Sequence, residues 1–180
     1  MQLSDATGAF PTVGYNKAKY LIIFFNEDNG YIHLETSTSR KGPELLKALQ
    51  SALTYFKNVH ADTHVLRLDN ECSNSMQKHV LLASIKLELT PASQHRRNKA
   101  ERAIRTAKTH IISTHAGIDK DCPANLWPNY NPQIELTLNL LRLAPSGTSA
   151  SEALHGAYDF NACPIAPIGA KVVAHVPPLE

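Results

Sequence analysis

The sequence lacks the features that mark secreted, membrane-spanning and zinc-scaffold proteins. It has only 3 cysteines in 180 residues, an odd number with no C-x-x-C pair, so neither a disulfide framework nor a zinc site is predicted. The longest apolar run, YLIIFF at 20–25, falls far short of the roughly 20 residues that span a bilayer. No basic region followed by an apolar one opens the chain, so we expect an intracellular protein that is neither secreted nor membrane-bound.

Length and composition predict one folded domain, and the charge is unevenly distributed. Hydrophobic residues make up 43% and charged residues 19%, which is ordinary for a globular domain that buries its own core. The net charge is +2, yet residues 96–108 hold six cations and one acid, a local charge of +5 that leaves −3 for the remainder. This basic segment could meet a polyanion, although exposed helices also carry Arg and Lys for solubility.

Hydrophobic periodicity predicts an α/β fold that opens with an antiparallel meander. Strands are predicted at 1–6, 20–25 and 31–35, with the NEDNG cluster at 26–30 as a hairpin turn. A helix follows, apolar at helical spacing, and then HVLRL at 64–68, a helix near 74–84 and IKLEL at 85–89 give a βαβ order. The helix positions are Leu45, Leu46, Leu49, Ala52, Leu53 and Phe56. The sheet is therefore expected to be mixed.

The second half of the chain is predicted to be helical. Residues 90–97 lack periodicity and are expected to form a loop, and a helix is expected from Asn98. Its apolar face comprises Ala100, Ala103, Ile104, Ala107 and Ile111. Another helix is predicted within 123–142, with Pro128 and Pro132 delaying or breaking its start, and KVVAH at 171–175 is one possible late strand.

Three carboxylates stand where secondary structure would expose them: Asp5 on the first strand, Asp69 at the end of a central strand, and Glu101 in a first helical turn. Hard divalent cations prefer such oxygen ligands, and two ions can activate an attacking oxygen while stabilising a leaving one in phosphoryl transfer. Each residue also has a structural explanation. Asp5 could be a solvated strand-end acid, Asp69 part of a turn, and Glu101 the capping-box partner of Asn98.

A row of charges accompanies Glu101. Arg97, Glu101, Arg105 and Lys108 fall on one surface stripe if Arg97 lies at or just before the helix start. Arg side chains bind phosphates through paired hydrogen bonds, and charge neutralisation drives association with nucleic acid. One face of this helix would therefore carry a carboxylate beside phosphate-binding cations.

Several segments together resemble the catalytic core of retroviral and retrotransposon integrases, especially the copia type. They are DATGAF at 5–10, LRLDNE at 66–71, TPASQHRRNKAERAIRT at 90–106, LW at 126–127, LNLLR at 138–142, SASEALHG at 149–156 and APIGAKVVAH at 166–175. The resemblance covers essentially the whole chain. It implies an RNase H-like fold, a mixed five-stranded sheet flanked by helices, with the core over about 1–120 and a copia-type helical extension and tail over about 121–180.

The resemblance also implies a reaction and its participants. Asp5, Asp69 and Glu101 would form the acidic triad that holds two Mg²⁺ ions, for which Mn²⁺ could substitute. The implied reaction is trimming of DNA ends by water, followed by attack of the new 3′-hydroxyl on a target phosphodiester, in the nucleus. A homo-oligomer is expected because two DNA ends must be joined. The DNA-binding candidates are Arg96, Arg97, Lys99, Arg105 and Lys108.

The sequence departs from the family pattern at two points. Lys99 stands where many members have Gly, which stiffens the loop and adds charge, and no His/Cys zinc module precedes Asp5. We therefore weigh an excised core against a truncated or domesticated copy that binds DNA or assembles without catalysis. An RNase H-type nuclease would share the fold and the ions, but the basic helix and the distal segments favour an integrase.

Overall fold

The computed structural model describes residues 2–69, 72–90, 99–170 and residue 173. Its elements in chain order are β1 (Gln2–Ala6), β2 (Tyr20–Asn26), β3 (Ile32–Ser37), α1 (Gly42–Asn58), β4 (Val65–Asp69), α2 (Asn74–Leu82), β5 (Lys86–Thr90), α3 (Lys99–Ala116), a 3-10 helix (Ala124–Tyr130), α4 (Asn131–Leu141) and α5 (Ala150–His155). The predicted α/β class is confirmed, and the elements through α3 lie where periodicity predicted them. No helix in these ranges is both long and apolar enough to cross a membrane.

The strands form a mixed sheet in the order β3-β2-β1-β4-β5. The first three strands make the antiparallel meander, whereas β4 runs parallel to both β1 and β5. Parallel strands end at the same side of a sheet, so the carboxyl ends of β1, β4 and β5 share one edge. This edge, which we call the carboxyl edge, is where the predicted carboxylates Asp5 and Asp69 occur.

The turn between β2 and β3 is built by the predicted NEDNG cluster. The Asn26 side chain accepts a hydrogen bond from the Asp28 amide at 2.9 Å, and the Gly30 amide donates to the Asn26 carbonyl at 2.9 Å. Gly30 adopts a φ of 74°, a left-handed conformation that glycine enters without steric cost. These contacts define the tight turn of the β2–β3 hairpin.

The alternation of side chains along the strands divides the core between the two faces of the sheet. On one face Phe24 and Leu66 pack with Leu49 and Phe56 of α1 and with Val80 of α2. On the other face a second cluster joins β2 and β3 to α3, the 3-10 helix and α4. Its larger members are Leu21, Ile23, Phe25, Ile32, Leu34, Ile104, Ile111, Trp127, Ile134 and Leu138. The second face is the one relevant to the site.

The segment with two prolines is divided into two helices. Pro128 lies inside the 3-10 helix, and Pro132 lies in the first turn of α4, where its missing N–H costs nothing. The predicted late strand at 171–175 falls outside the described residues except for Val173, which is not in a strand. The predicted loop residues 91–97 also lie outside them, and Thr90 ends β5.

Three polar side chains of α4 and its C-cap residue contact the backbone of β3, the first strand in the sheet order, and of the turn before it. They come from Glu135, Asn139 and Arg142, spaced i, i+4 and i+7, and we call them the edge latch. Their partners are the Leu34 amide for Glu135 at 2.8 Å, the Ile32 amide and carbonyl for Asn139 at 2.8 and 2.7 Å, and the Gly30 carbonyl for Arg142 at 3.0 Å. The latch occupies backbone groups that a free edge would offer to another strand.

Candidate active site

The backbone register brings Asp5 and Asp69 to neighbouring positions. Gln2 pairs with Leu66 and Leu3 pairs with Arg67 on the parallel strands β1 and β4, and the same offset carried two residues further aligns Asp5 with Asp69. Asp69 is the last residue of β4, and Asp5 is the last but one of β1. Two acids that are far apart along the chain therefore occupy adjacent strands at the carboxyl edge.

The register also identifies the face of the sheet to which these positions belong. Asp5 is the partner of Ile23 across β1 and β2, and Ile23 is buried in the cluster that contains Ile104 and Ile111 of α3. Paired residues of a sheet share a face, so the positions of Asp5 and Asp69 are on the α3 side. The side chains of both acids lie outside the part of the chain that the structure describes.

Glu101 is an exposed residue in the first turn of α3. This helix packs on β1 and β2 through its apolar stripe, in which Ala103, Ile104 and Ala107 are buried. Thr90 ends β5 as the register partner of Asp69, so the connection to α3 leaves from the carboxyl edge. Asn98, the proposed capping-box partner of Glu101, lies outside the described residues.

The predicted DNA-binding residues are only partly described. Arg105 is exposed and Lys108 is half-buried on α3, four and seven residues after Glu101 and hence on the same helical stripe. Arg96 and Arg97 lie outside the described residues, as does the side chain of Lys99, the first residue of α3. The described part of the row therefore combines one carboxylate with cations one and two turns further along.

The donor set suits a hard divalent cation. Asp5, Asp69 and Glu101 offer only carboxylate oxygens, the ligands that Mg²⁺ and Mn²⁺ prefer over nitrogen and sulfur. Among the described side chains, no group of three or more His, Cys, Asp and Glu residues could hold a metal ion, and the side chains of Asp5 and Asp69 are not among them. The fit to a metal ion therefore depends on the register and on the chemistry of the donors.

A charged group that the sequence did not single out lies on the same face of the sheet. Arg67 donates to Glu88 Oε2 at 2.9 Å, and Lys86 lies 3.0 Å from Glu88 Oε1. The hydrogen bonds from Lys86 and Arg67 lower the pKa of the Glu88 carboxyl. The alternation in LRLD and KLEL marks these residues as polar positions, but it does not reveal that Arg67 and Glu88 are register partners.

A buried polar cluster lies on β3, at the opposite end of the strand order. His33 contacts Glu135 through Nδ1 and Glu35 through Nε2, both at 3.0 Å, and its ring stacks on Tyr55 at 4.2 Å. Burial alone would lower the pKa of His33, but the hydrogen bonds to Glu135 and Glu35 outweigh it and raise the pKa to about 9. The Tyr31 hydroxyl donates to Glu135 at 3.0 Å. This cluster joins α4 to β3, and it lies away from the predicted metal-binding carboxylates.

Solved retroviral integrases share this fold. The HTLV-2 integrase catalytic core domain in complex with magnesium, in a trimeric form, matches with a TM-score of 0.63 at 19% identity, over 86% of this chain and 95% of that chain. The BIV integrase catalytic core domain matches with a TM-score of 0.62 at 14% identity, over 85% and 91%. No protein-family model matches the sequence, and neither does any curated protein.

A larger assembly contains the same fold. The simian T-cell lymphotropic virus intasome in complex with PP2A regulatory subunit B56 gamma matches with a TM-score of 0.68 at 16% identity, over 97% of this chain and 59% of that chain. At such identities the similarity shows the fold alone. The chain has the α/β, RNase H-like fold of integrase catalytic cores.

Proposed function

We propose that the chain is the catalytic core of an integrase, a polynucleotidyl transferase that trims the ends of retrotransposon DNA and joins them to target DNA. The observation that carries this proposal is the parallel pairing of β1 and β4, whose offset, continued two residues beyond Leu3 and Arg67, would align Asp5 with Asp69 on the face that α3 covers. The integrase-core fold supports it. The copia-type resemblance of the distal segments supports a retrotransposon origin.

In this proposal Asp5, Asp69 and Glu101 hold two Mg²⁺ ions, or Mn²⁺ as a substitute. Bound ions of this kind activate an attacking oxygen and stabilise a leaving one during phosphoryl transfer. The protein contributes the negative charge that retains the ions, the oxygen ligands that suit them, and a fixed spacing between two sheet strands and one helix. Glu101 would reach the ions from α3, where it is an exposed residue of the N-terminal turn.

The cations beyond Glu101 would bind the DNA backbone. Arg105 and Lys108 extend the stripe along α3, and we assign the same role to Arg96, Arg97 and Lys99 at its N-terminal side. Contacts of this type neutralise phosphates and release counterions, so binding should weaken steeply as salt rises. DNA is therefore the proposed partner, and joining of two ends would require a homo-oligomer. The related HTLV-2 cores are trimeric and dimeric forms.

Replacement of Asp69 by Asn tests the proposal. We expect Asp69→Asn to lower Mg²⁺-dependent joining of DNA ends by several orders of magnitude, because the substitution removes a charged ligand and keeps the size of the side chain. The matched control is Asp62→Asn, since Asp62 is an exposed acid that precedes β4 at its opposite end. Activity is measured by joining of a labelled oligonucleotide duplex to a plasmid, and folding by circular dichroism.

The same pair of variants distinguishes the second function weighed from the sequence. A non-catalytic DNA-binding or assembly module would bind DNA in a salt-sensitive way and would be indifferent to Asp69→Asn, with no joining by any form. Joining that persists in a folded Asp69→Asn protein would refute the triad. Joining that is lost in the Asp62→Asn control as well would also count against the assignment.

A further inference from the structure

We propose that Arg67 and Lys86 form a second phosphate-binding site for the DNA substrate and that Glu88 competes with DNA for them. This inference rests on the proposed function. It would let DNA contact β4 and β5 in addition to the row of cations on α3. It is supported by the ion pairs, by the register of β4 against β5 and by the exposure of the three side chains.

The register places the three residues on the face of Asp69. Arg67 precedes Asp69 by two residues on β4, and alternate residues of a strand share a face. Arg67 is the register partner of Glu88, and Asp69 that of Thr90, while Lys86 is two residues before Glu88 on β5. The intervening residues confirm the alternation, because Leu66, Leu68 and Leu87 belong to the opposite core.

The side chains are open to a ligand. Those of Arg67 and Glu88 are 32% and 31% exposed, and that of Lys86 is 71% exposed. Each carboxylate oxygen of Glu88 contacts one cation, so a single carboxylate pairs with both Arg67 and Lys86. The three side chains together therefore carry a net charge of +1. A phosphate that displaced Glu88 would gain one Arg fork and one Lys ammonium, the two side chains that proteins use most for phosphate.

Arg67 lies close enough to Asp69 to contact the same DNA strand. Two residues of a β-strand span about 6.6 Å. A DNA strand with one phosphate beside Asp69 could therefore place a neighbouring phosphate within reach of the long Arg67 side chain. Lys86, further back on the neighbouring strand, would extend the contact away from the carboxyl edge.

A purely structural ion pair predicts a different outcome on removal of Glu88. If Arg67 and Lys86 serve only to hold β4 to β5, then loss of Glu88 weakens the sheet and leaves DNA binding unchanged or poorer. If Glu88 competes with DNA, its loss frees two cations and DNA binding becomes tighter. The direction of the change in affinity therefore separates the two explanations.

The experiment compares DNA binding by four proteins: the wild type, Glu88→Gln, the double variant with Arg67→Gln and Lys86→Gln, and a control double variant with Glu44→Gln and Lys47→Gln. The control removes an ion pair of the same kind from α1, on the opposite face, where Lys47 is also 71% exposed and lies 2.9 Å from Glu44. Fluorescence anisotropy of a labelled DNA duplex is recorded across a range of KCl concentrations without divalent metal, and thermal melting checks the fold.

We expect Glu88→Gln to tighten DNA binding several-fold at low salt. The Arg67 and Lys86 variant should weaken it and reduce the slope of log affinity against log salt by about 1.8, since each phosphate contact contributes about 0.9. The control should match the wild type. A folded Glu88→Gln protein with unchanged or weaker binding would overturn the proposal, and so would an unchanged slope in the Arg67 and Lys86 variant.

Failure of this inference is distinguishable from failure of the proposed function. Joining activity in the wild type with no response to these variants overturns the second site alone. Binding that responds as expected in a wild type that joins no DNA supports the site and counts against catalysis. A wild type that binds no DNA overturns both.

Discussion

His33 is a buried base held between two carboxylates, and this environment makes the stability of the protein depend on pH. Its folded pKa of about 9 lies above the ordinary value of 6.5, because Glu135 and Glu35 together outweigh the effect of burial. The protonated ring therefore stabilises the fold fully below pH 6.5, and this contribution is lost as the pH rises towards 9. The loss should be at most about 3 kcal/mol.

Urea unfolding between pH 6 and pH 9.5 measures this contribution in the wild type and in His33→Gln. The free energy of unfolding of the wild type should fall relative to that of the variant across this range, since Gln cannot be protonated. His64→Gln, at an exposed position, is the matched control and should follow the wild type. Parallel curves for the wild type and His33→Gln would contradict the assignment of a protonated His33.

At the level of elements, buried polar groups attach α4 to β3 beside the apolar contacts of Ile134 and Leu138. Asn139 has 0% exposure and satisfies both the amide and the carbonyl of Ile32. Asn139→Ala would leave both groups buried without partners, at about 1–3 kcal/mol for each. We expect the free energy of unfolding to fall by roughly 2–6 kcal/mol.

The control for Asn139→Ala is Gln77→Ala, an exposed amide on α2. Denaturant unfolding should show a change close to zero for this variant, because water can replace its contact. An equally small change in Asn139→Ala would show that the edge latch contributes little to stability and that the apolar contacts of α4 hold it in place.

The elements were predictable to different degrees for identifiable reasons. The runs at 20–25 and 64–68 and the helical spacing from Leu45 to Phe56 reflect local burial, which a sequence displays directly. The edge latch was missed because Glu135, Asn139 and Arg142 look the same in sequence whether their face meets solvent or a strand edge. The register of β1 against β4 could not be predicted from the sequence, since it pairs residues about 64 positions apart.

At the scale of the whole molecule, the sheet order separates two polar regions. The edge latch contacts β3, which also carries His33, whereas Asp5, Asp69 and the Arg67–Glu88 pair lie on β1, β4 and β5 at the other end of the order. The first region would govern stability and the second would govern chemistry. Variants of Asn139 should therefore lower stability without changing the metal dependence of any activity that the folded protein shows.

The candidate site was predicted from the sequence only with the help of a family resemblance. Each acid alone had an ordinary structural explanation, and a spacing along the chain does not show convergence in space. The structure adds the parallel pairing of β1 with β4, whose offset would align Asp5 with Asp69, and the packing of α3 on that face of the sheet. The predicted roles of Arg96, Arg97 and Lys99 stay predictions, because these side chains lie outside the described residues.

The most direct test of the central claim is anomalous X-ray scattering from crystals of the protein soaked in Mn²⁺, with Asp69→Asn crystals as the control. We expect manganese peaks coordinated by the carboxylates of Asp5 and Asp69, with Glu101 as a further ligand, and weaker or absent peaks in the variant. Manganese bound elsewhere, or a β1–β4 register that separates Asp5 from Asp69, would contradict it.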